Sequence, residues 1–391
     1  MTTRTVPLGE LARFQSGGTP SRKVPGYYEG DQAWITGADI SLTGDINPRS
    51  YITNDAIRSS ATSPVPAGTI LLVTRTSVGK VAVADRPLCF SQDITAISPD
   101  PDRLDKRYLV QLIRAKGAYF KSRARGATIQ GVTRDVVESL DVLLPPIDEQ
   151  CRIADILDSA QHLRDLRLKS VNALGALGMA AFVRHFGESA SEPASQVPLR
   201  EILVSIENGR SPVCEPRPRI GDEYGVLKLG AVTYGEYRPS ENKAFLGNVL
   251  ATDRLVDPGD VLMTRKNTPE LVGAVALVHE TPERLLLPDL VFRLNFDPKV
   301  VTGTYLQRAL MAPRTRSAVR RLASGSAASM SNISKARLLN LQISVPPLAK
   351  QREFEETVSK VEAQLSAARH SAAGIEELVN ALRARAFSGR L

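Results

Sequence analysis

Cysteine and histidine are both scarce: the 391 residues hold three cysteines, Cys89, Cys151 and Cys214, and four histidines. The cysteines lie far apart with no Cys-x-x-Cys pair, which argues against a disulfide framework and against a zinc site of the usual spacing. His162, His185, His279 and His370 form no His-Glu-x-x-His, so no metal is expected. The N-terminal stretch from Met1 to Phe14 has no apolar core of the signal-peptide kind. The longest apolar run, Ala173 to Val183, is too short to span a bilayer. These absences lead to the expectation of a cytoplasmic protein with no membrane partner.

Complete enzyme signatures are missing as well. No Gly-x-Ser-x-Gly elbow is present. Val78-Gly79-Lys80-Val81 ends like a phosphate-binding P-loop, but Thr74 stands where glycine is needed and Val81 where a hydroxyl would meet magnesium. The pairs Pro145-Pro146 and Pro346-Pro347 lack the Asp or Asn before them, and the aromatic after them, of an amino-methyltransferase motif. Asp289, Asp297 and Lys299 can be set on a metal-dependent nuclease pattern, yet Pro298 is a poor resident of the central strand such a site requires. The expectation is a chain that performs no chemistry, with the nuclease kept as an alternative.

What the sequence does have is a long helical signal. From Phe354 the positions Val358, Val361, Leu365, Ala368, Ala372, Ile375, Val379, Leu382 and Ala386 alternate steps of four and three, the seam pattern of a coiled coil. Such a helix would be on the order of 50 Å long. Its entry, Val345-Pro346-Pro347 with Gln351, repeats an earlier one, Leu144-Pro145-Pro146 with Gln150. Carried back, the seam falls on Ile153, Leu157, Ala160, Arg164, Arg167, Val171, Leu174, Gly178, Ala181 and His185. Arg164 and Arg167 interrupt it, and Gly175 and Gly178 weaken the helix by roughly 1 kcal/mol each relative to alanine. Two matching rods in one chain pair most simply with each other, antiparallel, the arginines either meeting Glu362, Glu376 or Glu377 across the seam or facing another protein instead.

The repeat extends beyond the rods. Val6-Pro7-Leu8-Gly9-Glu10-Leu11 is answered by Val197-Pro198-Leu199-Arg200-Glu201-Ile202, and Thr74-Arg75 by Thr264-Arg265. Val78-Gly79-Lys80-Val81-Ala82 is answered by Val272-Gly273-Ala274-Val275-Ala276. Each half reads as short strands (69–73, 81–84, 94–97 and their counterparts) followed by one helix, Leu104–Arg125 or Gly303–Leu322. Both helices end in basic clusters that run into Gly/Ser loops, Gly126–Gly131 and Gly325–Asn332. Guanidinium groups beside backbone N–H groups can hold phosphate oxygens and set a domain on DNA without reading its sequence. A net charge of +8 suits a polyanionic partner.

In this order, these segments resemble the specificity (S) subunit family of type I restriction-modification enzymes. The resemblance rests on Ser16-Gly17-Gly18-Thr19-Pro20-Ser21 with Trp34-Ile35-Thr36, on Thr74-Arg75 through Val81, on Thr264 to Gly273, and on Gly325 to Ser334 leading into the second proline pair. It implies an α+β fold of two tandem mixed α/β target-recognition domains, each followed by a long helix, the helices forming an antiparallel coiled coil with a pseudo-two-fold. The boundaries expected are 1–145 and 197–345 for the domains, 146–187 and 346–391 for the spacer helices, and 188–196 for the linker. The resemblance further implies a non-catalytic adaptor that reads a bipartite, asymmetric double-stranded DNA target. Its partners would be two modification (methyltransferase) subunits and the restriction (motor-nuclease) subunits. S-adenosylmethionine, ATP and Mg would belong to those partners, with no cofactor in this chain. A stand-alone DNA-binding coiled-coil scaffold is the other alternative.

The residues expected to contact DNA are Arg75, Lys80, Lys121, Arg123, Arg125, Thr128 and Gln130 in the first half. In the second they are Arg265, Lys266, Arg316, Arg320, Arg321 and Ser326. Base readers are sought where the halves diverge, at Asn47, Arg49, Arg58, Lys228, Arg238, Asn242 and Lys243, because Arg, Lys and Asn can pair with purine edges.

Overall fold

A proline pair ends a strand cleanly, since proline offers no N–H to a sheet and favours the first turn of a helix. Both rods begin in this way: the strand Asp141–Leu144 leads through Pro145-Pro146 into the helix Ile147–Phe186. Gln342–Ser344 leads through Pro346-Pro347 into the helix Leu348–Ala386. The computed structural model describes residues 4–126, 130–187, 196–324 and 330–391. It divides into two units, Met1–Lys169 with Arg369–Leu391, and Ser170–Ala368. Each long helix thus gives one part to each unit. The expected linker, Gln196 apart, lies outside the described residues.

The two units carry the same strand order. In the first, a four-stranded antiparallel sheet runs Ala12–Ser16, Ile94–Pro99, Ile70–Val73, Val81–Val83. A second sheet runs Ser50–Ile52, Gln32–Ile35, Cys89–Phe90, the last pair parallel. In the other unit the equivalents are Leu203–Asn208, Val291–Phe296, Val261–Thr264, Val275–Leu277, and then Asn242–Phe245, Tyr224–Leu227, Leu285–Leu286. A separate pair ties each unit's start to the strand before its rod: Arg4–Pro7 with Asp141–Leu144, and Gln196–Pro198 with Gln342–Ser344. The duplication read in the sequence is therefore a duplication of topology.

Alternation along a strand decides which core each residue enters. Ile70 and Leu72 face a cluster with Tyr108, Leu109, Ile153 and Leu157, while Leu71 and Val73 face Ile35, Ile40 and Phe90 on the other side. The Ser16-Gly17-Gly18 segment serves this packing. A Cβ on Gly18 would stand 2.4 Å from the backbone of Ala61 and Thr62, and the Gly18 carbonyl accepts the indole N–H of Trp34 at 3.0 Å.

The single helices expected over Leu104–Arg125 and Gly303–Leu322 are each broken in two. The first is Lys106–Ala115 and Gly117–Arg123, with the break at Lys116 before a glycine that opposes helix continuation. The second is Gly303–Met311 and Pro313–Leu322. There Pro313 drives Ala312 out of the helical region, to φ −59° and ψ 140°.

One buried amide per unit explains the repeated glutamine. The side chain of Gln150 accepts from the Asp105 N–H at 2.8 Å and donates to the carbonyls of Arg103 and Pro145. Gln351 repeats this with the Thr302 N–H at 2.9 Å and the carbonyls of Val300 and Pro346. Both side chains are buried, and each joins the rod's first turn to the start of a domain helix. The tyrosines Tyr108 and Tyr305 add a second tie, donating to the Leu143 and Ser344 carbonyls at 2.7 Å each.

Every seam position of the second rod from Phe354 to Ala386 is buried or half-buried. The rods run antiparallel within each unit. In the first, Arg383 donates to Gln161 at 2.7 Å and Arg164 pairs with Glu376. In the second, Phe182 and Phe186 meet Phe354, with ring centroids 5.7 and 5.2 Å apart. Of the first rod's seam, Arg167 and His185 are exposed, so the register lapses there. By length and mean composition this rod is apolar enough to cross a membrane, although its longest uninterrupted apolar run remains 173–183. Its apolar end is nevertheless engaged with protein, through Phe182 against Tyr305 and Phe354.

Two outcomes are expected. Gln351→Leu strands a buried N–H and two carbonyls and should cost roughly 3 kcal/mol in chemical denaturation. His279 lies 3.2 Å from Glu362, whose hydrogen bond raises the imidazole pKa. A group raised on folding stabilises below its unfolded pKa and loses that contribution as pH rises through the folded value. The wild type should therefore lose a small increment of melting temperature above neutral pH that His279→Gln lacks. The histidine is 54% exposed, so the increment should stay below about 1 kcal/mol.

Candidate nucleic-acid interface

The basic residues gather because two loops zip together at one edge of each unit. In the first, Arg75 bridges Gly131, and Arg125 bridges Gly131 from the other side. The Thr76 N–H donates to Gln130 at 3.0 Å and the Val132 N–H to Thr74 at 2.8 Å. Thr76 takes a left-handed backbone, φ 65°, to make this turn. Arg75, Arg125 and Gln130 are thereby brought together with their side chains exposed. Arg123 is exposed at the end of its helix and lies over the Tyr119 ring at 4.8 Å. Thr128 lies outside the described residues.

The second unit builds the same edge from a different sequence. Lys266-Asn267 pairs antiparallel with Ser331-Asn332, Ser324 pairs with Asn332, and the Ile333 N–H donates to Arg265 at 3.0 Å. Arg265 and Lys266 converge on Asp289, at 2.8 and 3.9 Å. Asn208 also donates to that carboxylate, at 3.2 Å. Arg320 and Arg321 are exposed on the last turn of their helix. Ser326 lies outside the described residues.

Two of the expected contacts are spent inside the protein. Lys80 turns its ammonium to the Ile40 carbonyl at 2.8 Å and the Gly37 carbonyl at 3.4 Å. Arg316 is 8% exposed and donates to the carbonyls of Val272 and Glu270. Burial, aided by Arg320, lowers its pKa to about 10. Both residues act as internal clamps, because buried carbonyls need donors and long cationic side chains reach them. Lys121 is exposed and faces a cavity.

The divergent surfaces are also partly committed. Arg49 pairs with Asp39, Arg58 with Asp55, Lys228 with Glu241 at 3.6 Å and Arg238 with Glu236 at 3.6 Å. Asn242 is buried and bonded to Pro239 and Arg219. Asn47 and Lys243 are exposed. The nuclease alternative fails on geometry. Asp289 and Asp297 flank the strand Val291–Phe296 at opposite ends, separated by roughly 20 Å of extended chain. Asp289 already holds Arg265, and Asp297 accepts the Lys299 N–H.

The class these features define is an internally duplicated α+β protein, with a basic two-loop edge on each copy and long helices running antiparallel within each. The family described as Type I restriction modification DNA specificity domain matches residues 2–170. The chain is 33% identical over 160 residues to the EcoEI type I restriction enzyme specificity subunit of Escherichia coli, covering 40% of this chain and 27% of that one. It is 32% identical over 163 residues to the EcoR124I/EcoR124II specificity subunit of Escherichia coli, covering 40% of each. The match therefore spans only 27% and 40% of these two relatives' length. In fold, the crystal structure of a type I restriction-modification S subunit from M. genitalium is similar, with a TM-score of 0.57 at 15% identity, covering 99% of this chain and 96% of that chain. Residues 2–170 therefore resemble the specificity domain of type I restriction-modification enzymes, and the chain as a whole shares the fold of one such S subunit.

The clamp assignment separates neighbouring arginines. Arg316→Ala should destabilise the protein by about 1–3 kcal/mol, through stranded carbonyls and weakened packing. Arg320→Ala with Arg321→Ala should stay within about 0.5 kcal/mol. Denaturation curves of the two variants decide it, and equal losses would refute the assignment.

Proposed function

We propose that this chain is the non-catalytic DNA-recognition adaptor of a cytoplasmic type I restriction-modification complex. Each unit reads one half of a split double-stranded target. The long helices carry two modification subunits, and the restriction subunits join that core. S-adenosylmethionine, ATP and Mg are needed by those partners.

The observation that carries this reading is the double occurrence of one basic edge on one topology. Arg75, Arg123 and Arg125 on the first unit, with the amide of Gln130 beside them, and Lys266, Arg320 and Arg321 on the second, beside an Arg265 already held by Asp289, supply cations suited to phosphate. The two halves differ most in sequence around 37–63 and 230–254, so base choice is assigned to those segments and phosphate grip to the shared loops. Two different readers yield an asymmetric target.

Two measurements test this. Adenine-methylation sequencing of cells with and without the chain should show a split motif that disappears on deletion. A motif that survives deletion overturns the proposal. For the purified complex, Arg123→Ala with Arg125→Ala should weaken cognate and non-cognate duplexes alike. It should also reduce the slope of log K against log salt by about one for each phosphate no longer neutralised. An unchanged slope would remove those arginines from the interface.

A further inference from the structure

A cavity of about 610 Å³ opens in the first unit between the loop Thr76–Val81, the two short helices and the rods. Arg114 and Lys121 reach it from the helices, Arg164 and Arg383 from the rods. With Lys80 of the loop, five cationic side chains line one hollow and repel one another unless something negative stands between them.

Only one of the three guanidinium groups has a direct ion pair; Asp158, Asp165 and Asp45 act on Arg114, and Glu376 and Asp165 on Arg383, from a longer distance. Arg164 pairs with Glu376. Among the described residues, no carboxylate lies within ion-pair distance of Arg114 or Arg383. Arg114 donates to the Thr43 carbonyl at 3.2 Å. Arg383 donates from one terminal nitrogen to Gln161 at 2.7 Å and Gln111 at 3.4 Å, while its buried Nε has no partner. Burial lowers the pKa of both; nearby Asp158 and Asp165 partly offset this for Arg114, while for Arg383 the charges of Arg114 and Arg164 add to it and Glu376 and Asp165 oppose it. Arginine does not give up its proton in proteins, so deprotonation is not open as a way to relieve this repulsion.

The duplicated half shows that the fold does not need arginine at these two positions. Aligned through the Tyr-Leu pair of the domain helix, Arg114 corresponds to Met311; aligned through the proline pairs, Arg383 corresponds to Phe182. Met311 accepts the Val275 N–H on its sulfur at 3.3 Å. Phe182 is 1% exposed and packs on Tyr305, Phe186 and Phe354. At these two positions one copy carries apolar side chains, and its charge nearby is matched within the Arg308–Glu362 pair at 3.1 Å, whereas in the other copy the corresponding residues are the neutral Gln111 and Gln161.

We propose that the first unit's cavity is a binding site for a phosphoryl-bearing anion, held by the guanidinium forks of Arg114 and Arg383 with Lys121 as a further donor. Guanidinium suits this role because its planar N–H pairs match phosphate oxygens two at a time. The volume falls within the range of small-molecule sites, so a diphosphate or a nucleotide fits as readily as one backbone phosphate. Lys80 has no part in it, being committed to Ile40 and Gly37. Because Arg383 belongs to the second rod and Arg114 to the domain, an occupant would also fasten this end of the rod to its domain. A free phosphoryl ligand here would stand independently of the DNA-recognition reading, whereas a backbone phosphate would rest on it.

The test is calorimetric titration of the full chain with inorganic pyrophosphate, with ATP free of magnesium, and with a short duplex, backed by thermal melts. Saturable binding of at least one, with a raised melting temperature, is expected. The variant Arg114→Met with Arg383→Phe copies the second unit's residues and should bind roughly tenfold or more weakly. If it fails to fold, Arg383→Gln keeps the side-chain length and should show the same direction. Pyrophosphate or ATP binding that a duplex does not displace marks a free ligand. Displacement by duplex, together with weaker duplex binding by Arg383→Gln, marks a DNA phosphate. Absence of saturable binding to all three, or binding indifferent to both arginines, overturns the proposal.

Discussion

The architecture depends on a buried carboxamide that has to satisfy three backbone groups at once. A rod that merely lay on its domain could slide or roll, because apolar contact has no direction. Gln150 and Gln351 remove that freedom: each accepts one N–H and donates to two carbonyls where strand, rod and domain helix meet. With the first turn fixed, the seam's phase is fixed too, and the residues that follow at steps of four and three are aimed in advance. The proline pair contributes by ending the preceding strand at a set residue.

Duplication then makes each unit a control for the other. Positions that agree in chemistry, such as the two glutamines, Tyr108 with Tyr305, and the helix caps Asp105 with Thr302, hold the fold. Positions that agree in geometry but differ in chemistry carry the distinctions. The zipped loops are held by backbone hydrogen bonds in both units, so their side chains are free to vary without loss of structure. Arg75 is left exposed on one edge, while on the other Arg265 is held by Asp289. Part of the second edge's charge is therefore neutralised before any anion arrives, and the two units should not grip a polyanion equally.

Much of this was legible in the sequence. The seam, the Pro-Pro-x-x-x-Gln entry, the duplication and both rods could be read because each depends on local periodicity or on exact repetition. The breaks at Lys116 and Ala312 were missed because a basic, helix-favouring stretch continues across them. Pro313 was the available signal in the second half, Gly117 in the first. Lys80 and Arg316 were expected at the surface because charge normally stays there. What draws them inward is a set of carbonyls distant in sequence, Gly37 and Ile40 for the one, Glu270 and Val272 for the other. No local pattern announces such an acceptor. The cavity was hidden for the same reason, since Arg114, Arg164 and Arg383 meet only in the fold. The trace it leaves in the sequence is arginine in one copy where methionine and phenylalanine stand in the other.

The cationic side chains thus fall into physically different groups that composition alone merges. Lys80 and Arg316 have exchanged water for backbone carbonyls, and removing either exposes an unmet acceptor. Arg164, Arg265 and Arg308 are paired with carboxylates and contribute little net positive field. Arg75, Arg123 and Arg125 remain exposed, and they dominate what an approaching polyanion meets at the first edge. Arg114 and Arg383 belong to neither kind, being half-buried yet without a direct carboxylate partner. A net charge of +8 therefore describes the surface poorly. The field that matters for binding is set by the few side chains whose partners the protein itself does not provide.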